Sequence, residues 1–420
     1  MRPRPAPSPP WASRSLRSGC YTRPVSARPK GPETASARLS WALPASMFLG
    51  TFAWSFVYVS LPFYIQAMSP FDATATLRWT GWILGISPLI TMVTAPISGR
   101  LVHGRDPKHG FVLVQGLQGL GFLFMALART LPEMFFARAL LGLMGAVSTF
   151  AFIMAGRSRT DVRREVAAIQ SSMTLGQVLG PPVGAVTASR LGFRLSFIMA
   201  GLMLWACSLV VGWGVPAAAA GEVASARRGR ASVREITLAS LLVLAASTQV
   251  FFLTAILPQV LPGLGIDPGS TLEVGGLILF ASGVATALGS MATPRLADLV
   301  GERRAVPWAL AVSSLFLVLL ALAGNVWTFG AVRLLQMLCI APVFPLSVGA
   351  IAQRASGQAI GFVNSARIGA SFLGPVLATM LLTWASPAAV YLVLAALGIG
   401  LVPLVMRLAA RPRAPEEARP

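Results

Sequence analysis

Arg138, Arg333 and Arg367 are the residues of this 420-residue chain with the most conspicuous chemistry: each is a cation embedded in a long apolar run. At mid-membrane an arginine costs at least about 2.5 kcal/mol, so each should face a polar cavity or a partner, unless it snorkels or caps neighbouring carbonyls. Opposite charge is scarce. None of the 14 acidic residues sits in the middle of an apolar run, and Glu133, Glu165, Glu235 and Glu273 come nearest, at the ends of such runs. His103 and His109 share one short polar loop, and Cys20, Cys207 and Cys339 are too scattered for a disulfide framework or a zinc site. No His, Cys or carboxylate cluster is available for metal or triad chemistry, so no cofactor, no metal and no enzymatic activity are expected. A cavity for a small molecule is the better expectation. Trp54, Tyr58 and Phe252 offer flat apolar surface, as do Tyr64, Trp82 and Phe251. Gln249, Gln336 and Asn364 offer uncharged hydrogen bonds, with Gln66 and Gln177 as further candidates. Ordinary helix packing is the alternative for each.

The elements that must position these side chains are set by composition. The chain is 55% hydrophobic and 11% charged, with a mean hydropathy of +0.71, whereas a soluble chain carries about 25% charged residues. A bilayer core of about 30 Å needs about 20 apolar residues per helix. Twelve runs meet that need, near 41–66, 79–99, 110–128, 132–155, 166–188, 193–214, 236–261, 273–293, 305–323, 327–350, 358–383 and 387–407. The predicted fold class is an all-α membrane protein of twelve transmembrane helices.

Charge gives the orientation. The net charge of +20 would suggest nucleic acid in a soluble protein, but here it must be read by position. With the N-terminus inside, the outer loops hold only Arg78, Arg129, Arg190 and Arg194, and every other Lys or Arg outside the spans falls on the inner side. Both termini are therefore expected in the cytoplasm, in a multi-pass protein of the plasma or inner membrane with no nucleic-acid partner. Residues 1–39 are Pro- and Arg-rich and predicted to be a disordered tail, and residues 409–420 read as a cytoplasmic tail at the other end. The polar stretch 216–235 reads as a cytoplasmic linker.

An internal repeat divides the chain. Leu101 and Leu296, in the loops after the second and eighth spans, lie 195 residues apart, as do Arg138 and Arg333, while Gly180-Pro181 and Gly374-Pro375 lie 194 apart. The chain thus reads as two parallel halves, 40–215 and 236–408, of six helices each, with a substrate site at their interface near the midplane.

On these residues the chain resembles the major facilitator superfamily, and is most similar to its twelve-span drug:proton antiporter branch. The resemblance covers about 40–407 and implies two pseudo-symmetric six-helix bundles. The family's loop motif, Gly-x-Leu-x-Asp-Arg-x-Gly-Arg-Arg, is matched after the eighth span by Leu296, Asp298, Gly301, Arg303 and Arg304. After the second span, Gly99, Leu101 and Lys108 stand near the pattern, with Asp106 beside them and His103 in the place of the motif's Asp. Such loops are implied to latch one face shut, and His103 would make that latch sensitive to pH. Two solvated turns are the alternative. The fifth-span sequence LGQVLGPPVGAV places Gly176, Gly180 and Gly184 in one stripe and Pro181-Pro182 within it. The resemblance implies that this pattern marks exporters, while plain helix packing is the alternative. Arg138 in FFARALLGLMG matches the Arg of the family's Arg-x-x-Gln-Gly motif, implied to assist proton exchange, with Leu141 in the place of Gln. The function expected is export of a small amphiphilic compound by a monomer with the proton as coupling ion. An importer or uniporter of an anionic metabolite is the alternative, favoured by the arginines and the missing acids.

Overall fold

The computed structural model describes residues 33–101, 106–145, 147–156, 162–215, 232–352 and 357–410, and almost all of these are helical. The chain opens with α1 (Glu33–Met68), α2 (Ala73–Leu101) and α3 (Pro107–Leu127). The fourth expected span is broken into α4 (Leu131–Leu143) and α5 (Val147–Gly156), and α6 (Val162–Leu191) and α7 (Phe193–Gly214) follow. The second set begins with α8 (Val233–Gly263), α9 (Thr271–Met291) and the short α10 (Thr293–Val300). It continues with α11 (Glu302–Leu320), a second broken span of α12 (Val326–Ile340) and α13 (Val343–Ala352), and then α14 (Gly357–Leu382) and α15 (Pro387–Ala410).

Local chemistry fixes where these helices start and stop. Asp106 caps α3 by accepting from Lys108 N at 3.0 Å, and Asn325 caps α12 by accepting from Trp327 N and Thr328 N. Ser232 and Glu235 close a reciprocal capping box at the start of α8. That helix therefore begins inside the stretch 216–235 expected to be linker. Likewise α1 begins at Glu33, within the expected tail 1–39, and its predicted first residues continue the helix rather than precede it. The break between α4 and α5 passes through Gly145 at φ 77°, a conformation only glycine adopts freely. Gln118 Nε2 donates to the Gly145 carbonyl at 3.0 Å, which satisfies a group the broken helix would leave bare.

Among the described residues, eight helices are long and apolar enough to cross a membrane, and nine if the bent pair α10–α11 counts as one span. Joining each broken span and setting α10 aside gives twelve rods, of which α6 lies outside the eight, α11 counts only together with α10, and α15 is apolar over Pro387–Pro403. In α6 the deficit has a clear source, since its first turns carry Arg163, Arg164, Glu165, Gln170 and two serines. The outer surface is rich in exposed apolar side chains, among them Leu113, Phe136, Leu175, Leu277, Leu319 and Phe362. Exposed tryptophans mark both ends of the molecule. Trp41, Trp213 and Trp308 lie toward the end that carries the termini, and Trp327 and Trp384 at the other, as interfacial belts require.

The helices form two bundles. In the first, α1 packs on α6 and α7, α3 on α7, and α2 on α4; in the second, α8 packs on α14, α11 on α15 and α12, and α9 on α12. Small residues set the closest approaches. A Cβ placed on Gly180 of α6 would stand 2.6 Å from Ser55 Cβ and 2.8 Å from Phe56 N on α1. One placed on Gly374 of α14 would stand 3.1 Å from Phe252 N on α8, so the two bundles repeat the same backbone-to-backbone seam. Two further seams join the bundles to each other, α2 on α14 and α6 on α9. There Gly81 faces Thr379 and Gly276 faces Ala185, both toward the end remote from the termini. At that same end Ser189 Oγ of α6 donates to Glu273 Oε1 of α9 at 2.8 Å.

Candidate functional site

Between the bundles lies a cavity of about 520 Å³. Its wall on α1 runs along one helical face from Ser46 through Gly50, Trp54 and Tyr58 to Val59. Thirteen residues of helix correspond to about 20 Å, so the cavity extends from the middle of the molecule toward the end with the termini. Beyond Val59, Leu61, Phe63, Tyr64 and Ile65 are buried and close the other side.

Seven of the cavity residues singled out from sequence line this one space: Trp54, Tyr58, Phe251, Gln177, Arg138, Arg333 and Arg367. Arg138 on α4 is 2% exposed; its Nε donates to the Ile83 carbonyl at 3.2 Å and its Nη2 to that of Leu84 at 3.1 Å, both on α2. Its guanidinium also lies 5.6 Å from the Trp54 ring, which packs edge-on against Phe122. Arg333 on α12 is 1% exposed and grips α8 instead. Nη1 donates to the Gln249 carbonyl at 2.9 Å and to Gln336 Oε1 at 2.6 Å, and Nη2 donates to the Val250 carbonyl at 2.9 Å. The Phe252 ring lies 5.3 Å from this guanidinium.

Arg367 on α14 differs from both. Its guanidinium lies 4.9 Å from the Phe344 ring, and its buried Nε has no hydrogen-bond partner among the described residues. Among the described residues the wall also contains no Asp or Glu. Its remaining polar groups are neutral: Gln115 and Gln118 of α3, Gln177 of α6, and hydroxyls such as Ser87, Thr91, Thr254 and Thr286.

Other candidate residues stand elsewhere. Gln249, Phe252 and Gln336 are buried behind the wall rather than on it. Gln249 is the hub of a polar cluster, where Nε2 donates to Ser314 Oγ at 2.9 Å and Oε1 accepts from Ser313 Oγ at 3.1 Å. Asn364 is exposed and is not among the residues of the wall, although it stands one turn from Arg367 and Ile368 on α14. Of the fifth-span motif, Pro181 lines the cavity, while Gly176, Gly180 and Gly184 face α1 across its backbone and Pro182 lies within the unbroken helix α6. Pro182 Cα lies 3.5 Å from where a Cβ on Gly276 would stand.

The loop motifs resolve differently from two open turns. Gly99 falls in the last turn of α2, Asp106 is the cap of α3, and Lys108 sits in that helix's first turn; His103 lies outside the described residues. Asp106 Oδ2 is 3.8 Å from His109 Nδ1. The second copy is the helix α10, bent by 109° from α11 through Gly301 at φ 85°. Asp298 and Arg304 are exposed there, with Arg303 in the first turn of α11, and Asp298 makes no ion pair among the described residues.

Two helical bundles around a shared, polar-studded cavity, with an apolar exterior, define a multi-pass membrane transporter. Sequence comparison gives the family: the profile of the Major Facilitator Superfamily matches residues 43–267 and 239–420, and the chain belongs to that superfamily. Among its relatives is an uncharacterized MFS-type transporter, YuxJ, of Bacillus subtilis (strain 168), 28% identical over 76% of this chain and 84% of the relative. Another is the multidrug resistance protein MdtG of Enterobacter lignolyticus (strain SCF1), 26% identical over 76% and 78% of the two chains. The fold matches that of the nucleoside transporter NupG (D323A mutant) at a TM-score of 0.72 and 12% identity, covering 88% of this chain and 99% of that one.

Proposed function

We propose that this transporter exports small amphiphilic compounds from the cell by alternating access, with segments 40–215 and 236–408 rocking as units about the cavity between them. The observation that carries this reading is the cavity itself. It is large enough at about 520 Å³ for a drug-sized molecule, walled by Trp54, Tyr58 and Phe251 with neutral polar tips around them, and shared by both bundles. The seams at Gly81, Gly276 and Glu273 close one end, which suits a state that loads from the other. The relatives named multidrug resistance proteins support outward transport, and the Lys and Arg bias supports cytoplasmic termini in the plasma or inner membrane. Proton entry is the proposed driving force, and a monomer the proposed unit.

Everted membrane vesicles containing the protein test this. Uptake of fluorescent amphiphiles that stops when the imposed pH gradient is collapsed is the expected result. Vesicles that take up none of a mixed panel of anionic, neutral and cationic amphiphiles would sink the export reading. A second reading, import or uniport of an anionic metabolite, is favoured by the arginine-only charge of the wall, and it predicts that right-side-out vesicles accumulate anions without a gradient.

A further inference from the structure

We infer that Arg367 is an anion-binding point inside the cavity, and that the transported amphiphile carries a carboxylate, sulfonate or comparable anionic group. This deepens the transport reading above, since it rests on the cavity being the substrate site.

The inference follows from how the three cavity arginines differ. Arg138 has two nitrogens on the carbonyls of α2, and Arg333 has both terminal nitrogens on α8 and Gln336, so each is tied to the wall by its own neighbours. Arg367, which is only partly buried, makes no side-chain hydrogen bond among the described residues, and its guanidinium lies against the Phe344 ring. A guanidinium whose Nε is buried without an acceptor is costly, and the cost is relieved when a carboxylate or sulfonate brings both charge and acceptor oxygens. Planar guanidinium suits such groups because it donates two parallel bonds. No carboxylate among the described residues of the cavity wall competes for it. Next along α14, Ile368 and Ser371 line the same space, with Phe251 and Thr254 of α8 also on the wall. An anionic head at Arg367 can therefore be followed by an apolar body lying against the rings of the wall. Arg333 Nε is likewise buried without a partner, which adds to the positive potential felt by that head.

The test uses a matched pair of probes, N-dansyl-11-aminoundecanoate and its neutral carboxamide, titrated against the purified full-length protein in nanodiscs. The expected result is that the wild-type protein binds the acid at least about tenfold more tightly than the amide. Arg367→Gln should abolish that preference while leaving amide binding in place, which also reports a folded cavity, and Arg367→Lys should restore part of it. Failure of the wild type to prefer the acid, or a preference that Arg367→Gln leaves intact, would overturn the assignment. Failure of the transport reading looks different: acid binding would still depend on Arg367, yet neither probe would cross the bilayer of proteoliposomes.

Discussion

Ser189 and Glu273 meet across the two bundles, the hydroxyl of one donating to the carboxylate of the other over 2.8 Å. The bond joins α6 to α9 beside the close approach of Gly276 to Ala185, so it marks where the bundles are held shut. Cysteines at these two positions should therefore be bridged by a short, reducible bis-thiol cross-linker. Transport by Ser189→Cys/Glu273→Cys is expected to fall to background when cross-linked and to return on reduction. Unchanged flux in the cross-linked protein would mean that the bundles need not part here.

Glu273 also bears on coupling. Glu133 accepts from Arg129 N and Glu235 from Ser232 N, so both are engaged in closing helix starts. Glu273 instead bridges the two bundles, the parts proposed to move during transport. Glu273→Gln keeps an acceptor for Ser189 but cannot exchange a proton at neutral pH, and its transport is expected to stop responding to an imposed pH gradient. Glu133→Gln and Glu235→Gln should retain the response. A Glu273→Gln protein with the wild-type gradient dependence would place proton exchange elsewhere.

The arginines make different stability predictions. Arg333→Met removes three hydrogen bonds and leaves Gln336 Oε1 without its 2.6 Å donor, so the substitution is expected to cost about 2–4 kcal/mol. Arg367→Met removes a partly exposed cation whose Nε has no hydrogen-bonding partner among the described residues, and the apolar replacement should be close to neutral in the absence of ligand. Thermal unfolding in detergent decides this. Equal losses of Tm in the two variants would contradict the difference drawn between them.

The glycine seams should tolerate almost nothing larger. At Gly180 a Cβ meets Ser55 and the backbone of α1, so Gly180→Val is expected to destabilise by about 2–3 kcal/mol or more, and Gly374→Val comparably. Gly324 and Gly330 have open space around them, and alanine there should leave Tm within about a degree. A Gly180→Val protein of wild-type stability would show that α1 and α6 can separate freely.

Much of the fold was legible because a bilayer imposes a period of its own: apolar runs, the charge bias and the repeat at Arg138 and Arg333 all survive in sequence. The rotation of each helix about its axis did not. In a membrane both the lipid face and the packed face are apolar, so Gln115, Gln118 and Thr91 give no sign that they line a cavity, nor Gln249 and Gln336 that they lie behind it. The three cavity arginines were found because their burial is expensive enough to require a polar surrounding. The repeat also misleads in detail. Trp54 stands 195 residues before Gln249, and this ring-for-amide exchange accompanies a change of grip, with Arg138 on α2 but Arg333 on α8. The breaks at Gly145 and at Ala341-Pro342 carried only a weak signal, since glycine and proline are common in membrane helices.

Gly81 against Thr379 and Gly276 against Ala185 have a mechanical consequence. The two contacts lie on opposite seams of the molecule, so in the proposed export cycle both must let go before the end remote from the termini can open. Small residues make that release clean: no long side chain has to be drawn out from behind another, so the two faces can part and meet again like the plates of a valve.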